Sequence, residues 1–165
     1  MEIDVIAEDA SWGVADLPGI CRRAGAAVAR HLVLPVGCEA VVLGGSDARI
    51  AELNGQFRAR HQATNVLSWP QHSLAADAAG DVPRVPASDP MEDGIALGDI
   101  ALAFETCRIE ARAAGIPFEA HITHLVVHGL LHLLGYDHIR DKDADLMEAR
   151  EVEILALLDV PNPYG

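Results

Sequence analysis

The chain has 165 residues, half of them hydrophobic, which is enough to bury a single core. No apolar run reaches the roughly 20 residues of a membrane-spanning helix, and the acidic, alternating start Met1-Glu-Ile-Asp-Val-Ile-Ala lacks the order of a secretory signal, so a cytoplasmic protein is expected. The formal net charge of −13 argues against a nonspecific nucleic-acid binder, although a metal ion with one or two arginines could still make a local positive site.

Ile3, Val5 and Ala7 alternate with Glu2, Asp4 and Glu8 and predict a first strand. Helical spacing follows from about Val14 to His31, stopped by Pro35 and Gly37. Glu39-Ala-Val-Val-Leu43 predicts a second strand, closed by Gly44-Gly45. Ser46 or Asp47 can then cap a helix with Ile50, Leu53 and Phe57 on one face. Thr64-Asn-Val-Leu-Ser-Trp-Pro70 is a short strand ended by proline. Residues 71–94 hold Pro83, Pro86 and Pro90 and show little periodicity, so they read as a surface loop. Leu97-Gly-Asp-Ile-Ala-Leu-Ala103 is a fourth strand, followed by a helix to about Ala114. Gly115 suits its end, and Pro117 suits the first turn of a helix reaching about Leu134, with Gly135 as its stop. An acidic helix from about Asp141 to Leu158 completes a single α+β domain spanning 1–165. Cys21, Cys38 and Cys107 are far apart, form no CxxC pair, and read as buried small hydrophobes.

The chemistry concentrates between His121 and His138. At about 100° per residue, His121, His124, His128 and His132 share one stripe roughly 80° wide on an otherwise apolar helix. A buried helix has no stability reason to carry four imidazoles on one face. Residues i and i+4 lie about 6 Å apart along the axis and can converge on one ion, whereas i and i+8 lie about 12 Å apart and cannot. One adjacent pair must therefore be joined by a ligand from elsewhere. Gly135 can turn the chain back so that His138 faces His128 and His132. Three neutral imidazoles leave a fourth position open, the layout of a catalytic zinc site. Nickel, copper or another divalent ion suits the same donors. One ion per chain is expected. His124, one turn before His128, reads as a support for a ligand, a substrate contact or a satisfied buried histidine.

The spacing His-x3-His-x5-His also occurs in metzincin proteases, whose motif places a glutamate base directly after the first histidine. Here Gly129 stands at that position, which moves the expectation away from peptide hydrolysis. The combined pattern resembles the YbeY family of bacterial rRNA-maturation factors. The matching residues are Leu53-Asn-Gly-Gln-Phe-Arg58, Thr64-Asn-Val-Leu-Ser-Trp-Pro70, Leu97-Gly-Asp-Ile100 and His124-Leu-Val-Val-His128-Gly-Leu-Leu-His132-Leu-Leu-Gly-Tyr-Asp-His138. The resemblance covers about Asp47 to Tyr164 and is weak before that. Trp69 stands where that family usually has phenylalanine, and the loop at 71–94 is longer than expected.

The resemblance implies a mixed four-stranded sheet with about five helices packed around it. It also implies zinc on His128, His132 and His138, and a metal-dependent endoribonuclease acting on single-stranded RNA. Its setting would be rRNA maturation and ribosome assembly or quality control, with the small ribosomal subunit or assembly factors as partners and no membrane. It implies further that Arg58 lines the cleft and serves catalysis; on the residues alone Arg58 reads as a solvated helix-end arginine. A guanidinium can pair with a phosphodiester that gains negative charge in its transition state. Two other functions compete: a metal hydrolase of another substrate such as a peptide, and a noncatalytic ribosome assembly factor. The general base is open among Glu105, Glu110, Glu119 and Asp137.

Overall fold

The structure, a computed structural model, describes residues 1–58 and 64–165, without the side chains of 56–58. In chain order the elements are β1 (Glu2–Ala7), a 3₁₀ turn (Ala10–Val14), α1 (Leu17–His31), β2 (Cys38–Gly45) and α2 (Asp47–Arg58). There follow β3 (Val66–Pro70), β4 (Ile95–Ala103), α3 (Phe104–Ala114), α4 (Phe118–Leu133) and α5 (Asp141–Leu157). The sheet order is β1-β2-β4-β3; β1, β2 and β4 run parallel, and β3 pairs antiparallel with β4 at the edge. The expected α+β architecture, with a mixed four-stranded sheet and five helices, is present.

Several boundaries differ from the sequence expectation, each for a local reason. The first helix starts at Leu17 rather than near Val14, because the Asp16 carboxylate accepts from Gly19 N at 3.1 Å and Pro18 occupies the first turn. A separate 3₁₀ turn precedes it, capped by Asp9. At α2 the cap is Ser46, whose Oγ accepts from Arg49 N. Asp47 instead accepts from Thr106 N at 2.9 Å and Thr106 Oγ1 at 2.8 Å, tying α2 to α3. Pro117 sits at the N-cap of α4, one position before the helix.

The main core lies between the sheet and helices α1, α4 and α5. Helix α4 is its centre. Ile122, Val126, Val127, Leu130, Leu131 and Leu133 are all fully buried, and each such side chain contributes about 1.5–3 kcal/mol. A smaller cluster of Ile50, Leu67, Ala101 and Ala103, with Leu53 and Trp69 against it, fills the space under α2. Trp69 thus packs beside α2 and Leu43. The three cysteines are free and buried; burial pushes the Cys21 and Cys107 thiols up to about 12, so they are inert hydrophobes. Residues 71–94 contain no helix or strand and are largely exposed, but Leu74, Pro83 and Pro86 are buried. Among the described residues, no helix is long and apolar enough to cross a membrane.

Candidate metal centre

Helix α4 carries the histidine stripe across the core, and its end aims the last member. Leu134 ends the helix and Gly135 takes a left-handed φ of 98°. Tyr136 N then donates to Leu131 O, and Gly135 N to His132 O. This paired closure satisfies the last helical carbonyls and reverses the chain. The Asp137 carboxylate accepts from His138 N at 2.7 Å and tightens the turn that follows.

His128, His132 and His138 come together: one ring nitrogen from each lies within 4.8 Å of the others. His128 Nε2 and His132 Nε2 are 3.1 Å apart. Two nitrogens bound at roughly 2.0–2.1 Å in a tetrahedral site would stand about 3.3 Å apart, so this spacing fits a shared ion. The donor chemistry fits as well. Burial, with His128 and His138 beside it, lowers the His132 pKa to about 4, which keeps that imidazole neutral and its lone pair available.

A second group, unforeseen from the sequence, stands behind the first. Glu151 of α5 is fully buried, and its Oε1 lies 2.5 Å from His128 Nδ1 and 3.7 Å from His124 Nε2. Tyr164 Oη donates to Glu151 Oε2. Burial alone would raise this carboxyl; the nearby His124 and the hydrogen bonds with His128 and Tyr164 outweigh it and bring the pKa to about 2. Burial and the Glu151 carboxylate push the Tyr164 phenol up, so it stays a donor. His124, His128 and Glu151 could themselves hold a cation. However, His128 meets Glu151 with Nδ1 and His132 with Nε2. A carboxylate holding Nδ1–H leaves Nε2 as the free donor, the usual outer support of a metal-bound histidine.

The other sequence candidates separate. His124 lies beside Glu151, its ring 5.8 Å from that of Tyr164, and stands outside the trio. His121 Nε2 is 2.9 Å from Glu110 Oε1, and Glu110 also accepts from Asn65 Nδ2 at 3.1 Å. Glu105 accepts from Asp47 N at the α2–α3 junction. Glu119 lines a groove beside Arg108 and Arg112. Of the four carboxylates considered as bases, only Asp137 lines the cleft that holds the histidines. That cleft also runs along the β3 edge past Asn65 and Ser68. Arg58 is the last residue of α2, and the side chains of Arg58 and Phe57 lie outside the described residues.

Glu151 had a readable signal. It shares one helical face with Met147, Ile154 and Leu155, all buried, so a charge sits in an apolar stripe. Tyr164 had none, because it lies beyond the last helix in an aperiodic tail.

The fold and site define an α+β protein whose helix-borne histidine pair and post-glycine histidine can hold one metal ion. The family model described as Endoribonuclease YbeY matches residues 6–159, and the chain belongs to this endoribonuclease family. Endoribonuclease YbeY of Ruegeria pomeroyi is 50% identical over 165 residues, covering 99% of this chain and 98% of the relative. Endoribonuclease YbeY of Cereibacter sphaeroides is 50% identical over 163 residues, covering 98% of each. The solution structure of TM1509 from Thermotoga maritima aligns with a TM-score of 0.60 at 23% identity, over 93% of this chain and 86% of that one, a likeness of fold. The match begins well before Asp47, so family likeness also covers the N-terminal third that looked weak by motif.

Proposed function

We propose that this protein is a zinc-dependent endoribonuclease that cuts single-stranded RNA. One zinc per chain would be held by His128, His132 and His138. The observation that carries this reading is the convergence of those three ring nitrogens in the lining of one cleft. When bound, zinc supplies Lewis acidity toward a phosphoryl oxygen and an activated water nucleophile near neutral pH.

The protein's own groups do the rest. Glu151 fixes the tautomer of His128, and Tyr164 and His124 hold Glu151 in place. Asp137, in the cleft wall, is the best-placed carboxylate to accept a proton from an attacking water. Arg58 pairs with the scissile phosphate, as the family resemblance implies. The cellular setting is rRNA maturation and ribosome assembly or quality control in the cytoplasm, with the small ribosomal subunit or assembly factors as partners. With a net charge of −13, few basic groups are available to release counterions from free RNA, so such a partner would supply much of the targeting.

The protease reading loses support from one packing detail. A Cβ at Gly129 would lie 2.9 Å from Ile100 Cδ1. Position 129 therefore faces β4 rather than the cleft, and no glutamate base could stand there.

Cleavage of single-stranded against duplex RNA, with and without chelator, tests the proposal. Single strands should be cut faster, chelation should stop the reaction, and His128→Ala, His132→Ala and His138→Ala should each lose the metal. Arg58→Ala should retain zinc and fold but lose roughly 10²–10³ in rate, the scale of one transition-state donor. Arg58→Lys should recover only part, because lysine lacks the planar fork. Zinc-dependent cleavage of casein with RNA left intact would replace this reading with a peptidase. Metal-loaded protein that binds ribosomal particles and cuts neither would leave an assembly factor.

A further inference from the structure

His138 is the member of the histidine trio that stands outside a helix, and it is exposed. Its neighbours Ile139 and Arg140 are exposed too. Beyond the buried Tyr136, residues 137–140 bury no side chain, and so short a turn opens easily. Metal coordination tolerates only about ±0.2 Å in ligand distance. Something must therefore hold this turn.

The structure places one chain segment against both of its ends. On the near side, a Cβ at Gly135 would lie 2.7 Å from the Leu74 carbonyl carbon and 2.8 Å from Ala75 N. The segment thus seats directly on the backbone of the α4 stop. On the far side, Arg140 Nη2 donates to Ala76 O and Nη1 to Asp77 O, both at 2.9 Å. Its Nε donates to Asp143 Oδ2 at 2.5 Å, and Asp143 Oδ1 accepts from Gly80 N at 2.8 Å. Leu74 is itself anchored: it is buried, and its carbonyl accepts from Arg84 N at 2.8 Å. One planar guanidinium therefore joins two carbonyls of the segment to the first turn of α5, a geometry no single ammonium reproduces.

We propose that residues 74–80 clamp the turn carrying His138, with Arg140 as the positioning residue through which the clamp sets the third metal ligand. The inference rests on the reading of His128, His132 and His138 as ligands. It assigns a role to part of the long segment 71–94 that motif reading left without one.

A double-mutant cycle on metal affinity tests it, using Zn²⁺ competition titrations and the visible spectrum of the Co²⁺-loaded protein. Arg140→Ala should bind zinc about 10–100-fold more weakly, as loss of an outer support does, and should alter the cobalt spectrum. Arg140→Lys should recover part of the affinity. In a His138→Ala background, Arg140→Ala should add nothing further, since the ligand it positions is gone. Equal losses in both backgrounds, or an unchanged affinity and cobalt spectrum in Arg140→Ala, would overturn the clamp. Full affinity in His138→Ala alone would overturn the ligand assignment, and the clamp with it. Should Arg140→Ala fail to fold, Asp143→Asn carries the same cycle, because it weakens the ties to both Arg140 and Gly80 while keeping the side-chain shape.

Discussion

The two halves of the histidine cluster are built by different means. His128 and His132 project from a stretch of α4 in which all the remaining residues from Leu125 to Leu133 are buried in the core. Their positions follow from core packing, and His128 is further fixed by the buried Glu151. His138 projects from an exposed turn and depends on a left-handed glycine, the Asp137 bond and the polar ties of Arg140. Identical imidazole chemistry therefore rests on apolar burial in one half and on hydrogen bonds in the other. Apolar burial is non-directional and shared over many contacts. The polar half depends on a few geometrically strict bonds. Damage should accordingly show as lost stability when it strikes α4, and as lost metal when it strikes the turn.

Glu151 is where this division is most exposed to test, because it is the polar support of the apolar half. Glu151→Gln keeps the shape but removes the charge that pins His128 Nδ1–H. Zinc affinity should fall about 10–100-fold, measurable by competition with a chelator of known affinity. An affinity within twofold of the parent would mean that packing alone orients His128, and the helix half needs no polar support at all. Gly129→Ala probes the packing itself. Its new methyl would meet Ile100 at 2.9 Å from Cδ1, 3.1 Å from Cγ1 and 3.2 Å from Cγ2, so no small shift of one atom clears it. Overpacking costs about 1–3 kcal/mol, offset by up to about 1 kcal/mol from replacing a helical glycine. The melting temperature should fall while zinc stoichiometry stays at one. Lost zinc with an unchanged melting temperature would erase the distinction between the two halves.

How much of this was legible beforehand follows the same line. The histidine stripe could be read because helical periodicity converts sequence spacing into a shared face. Gly135 could be read because only a left-handed residue closes that kind of helix end, and the Ser46 cap because a hydroxyl before a helix has one common use. The supports were harder. Glu151 is visible as a misplaced charge on α5, but its partner is known only once α5 lies against α4. Arg140 bonds to the backbone carbonyls of Ala76 and Asp77, groups that every residue carries, so no residue type marks them. The β1-α1-β2 parallel unit was hidden by the absence of regular alternation further along the chain. Family likeness before Asp47 escaped motif reading because that region offers core positions rather than chemistry.

The smallest expected effect belongs to Ile139, and it is the sharpest control on the turn. Ile139 stands between His138 and Arg140, is 82% exposed, and lines the histidine cleft. Exposed side chains away from special contacts change stability by less than about 0.5 kcal/mol. Ile139→Ala should therefore leave both the melting temperature and the zinc affinity where they are, even though it lies closer to His138 in sequence than Arg140 does. If the turn were fragile in general, any truncation beside His138 would loosen the metal, and Ile139→Ala would weaken zinc as much as Arg140→Ala. If hydrogen bonds hold the turn, proximity is irrelevant, and the residues that matter are those bonded within the turn or tied to residues 74–80. Competition titrations on the two variants side by side decide it: a matched loss in both would mean that the turn has no dedicated support, and the contrast between the two halves of the site would reduce to exposure alone.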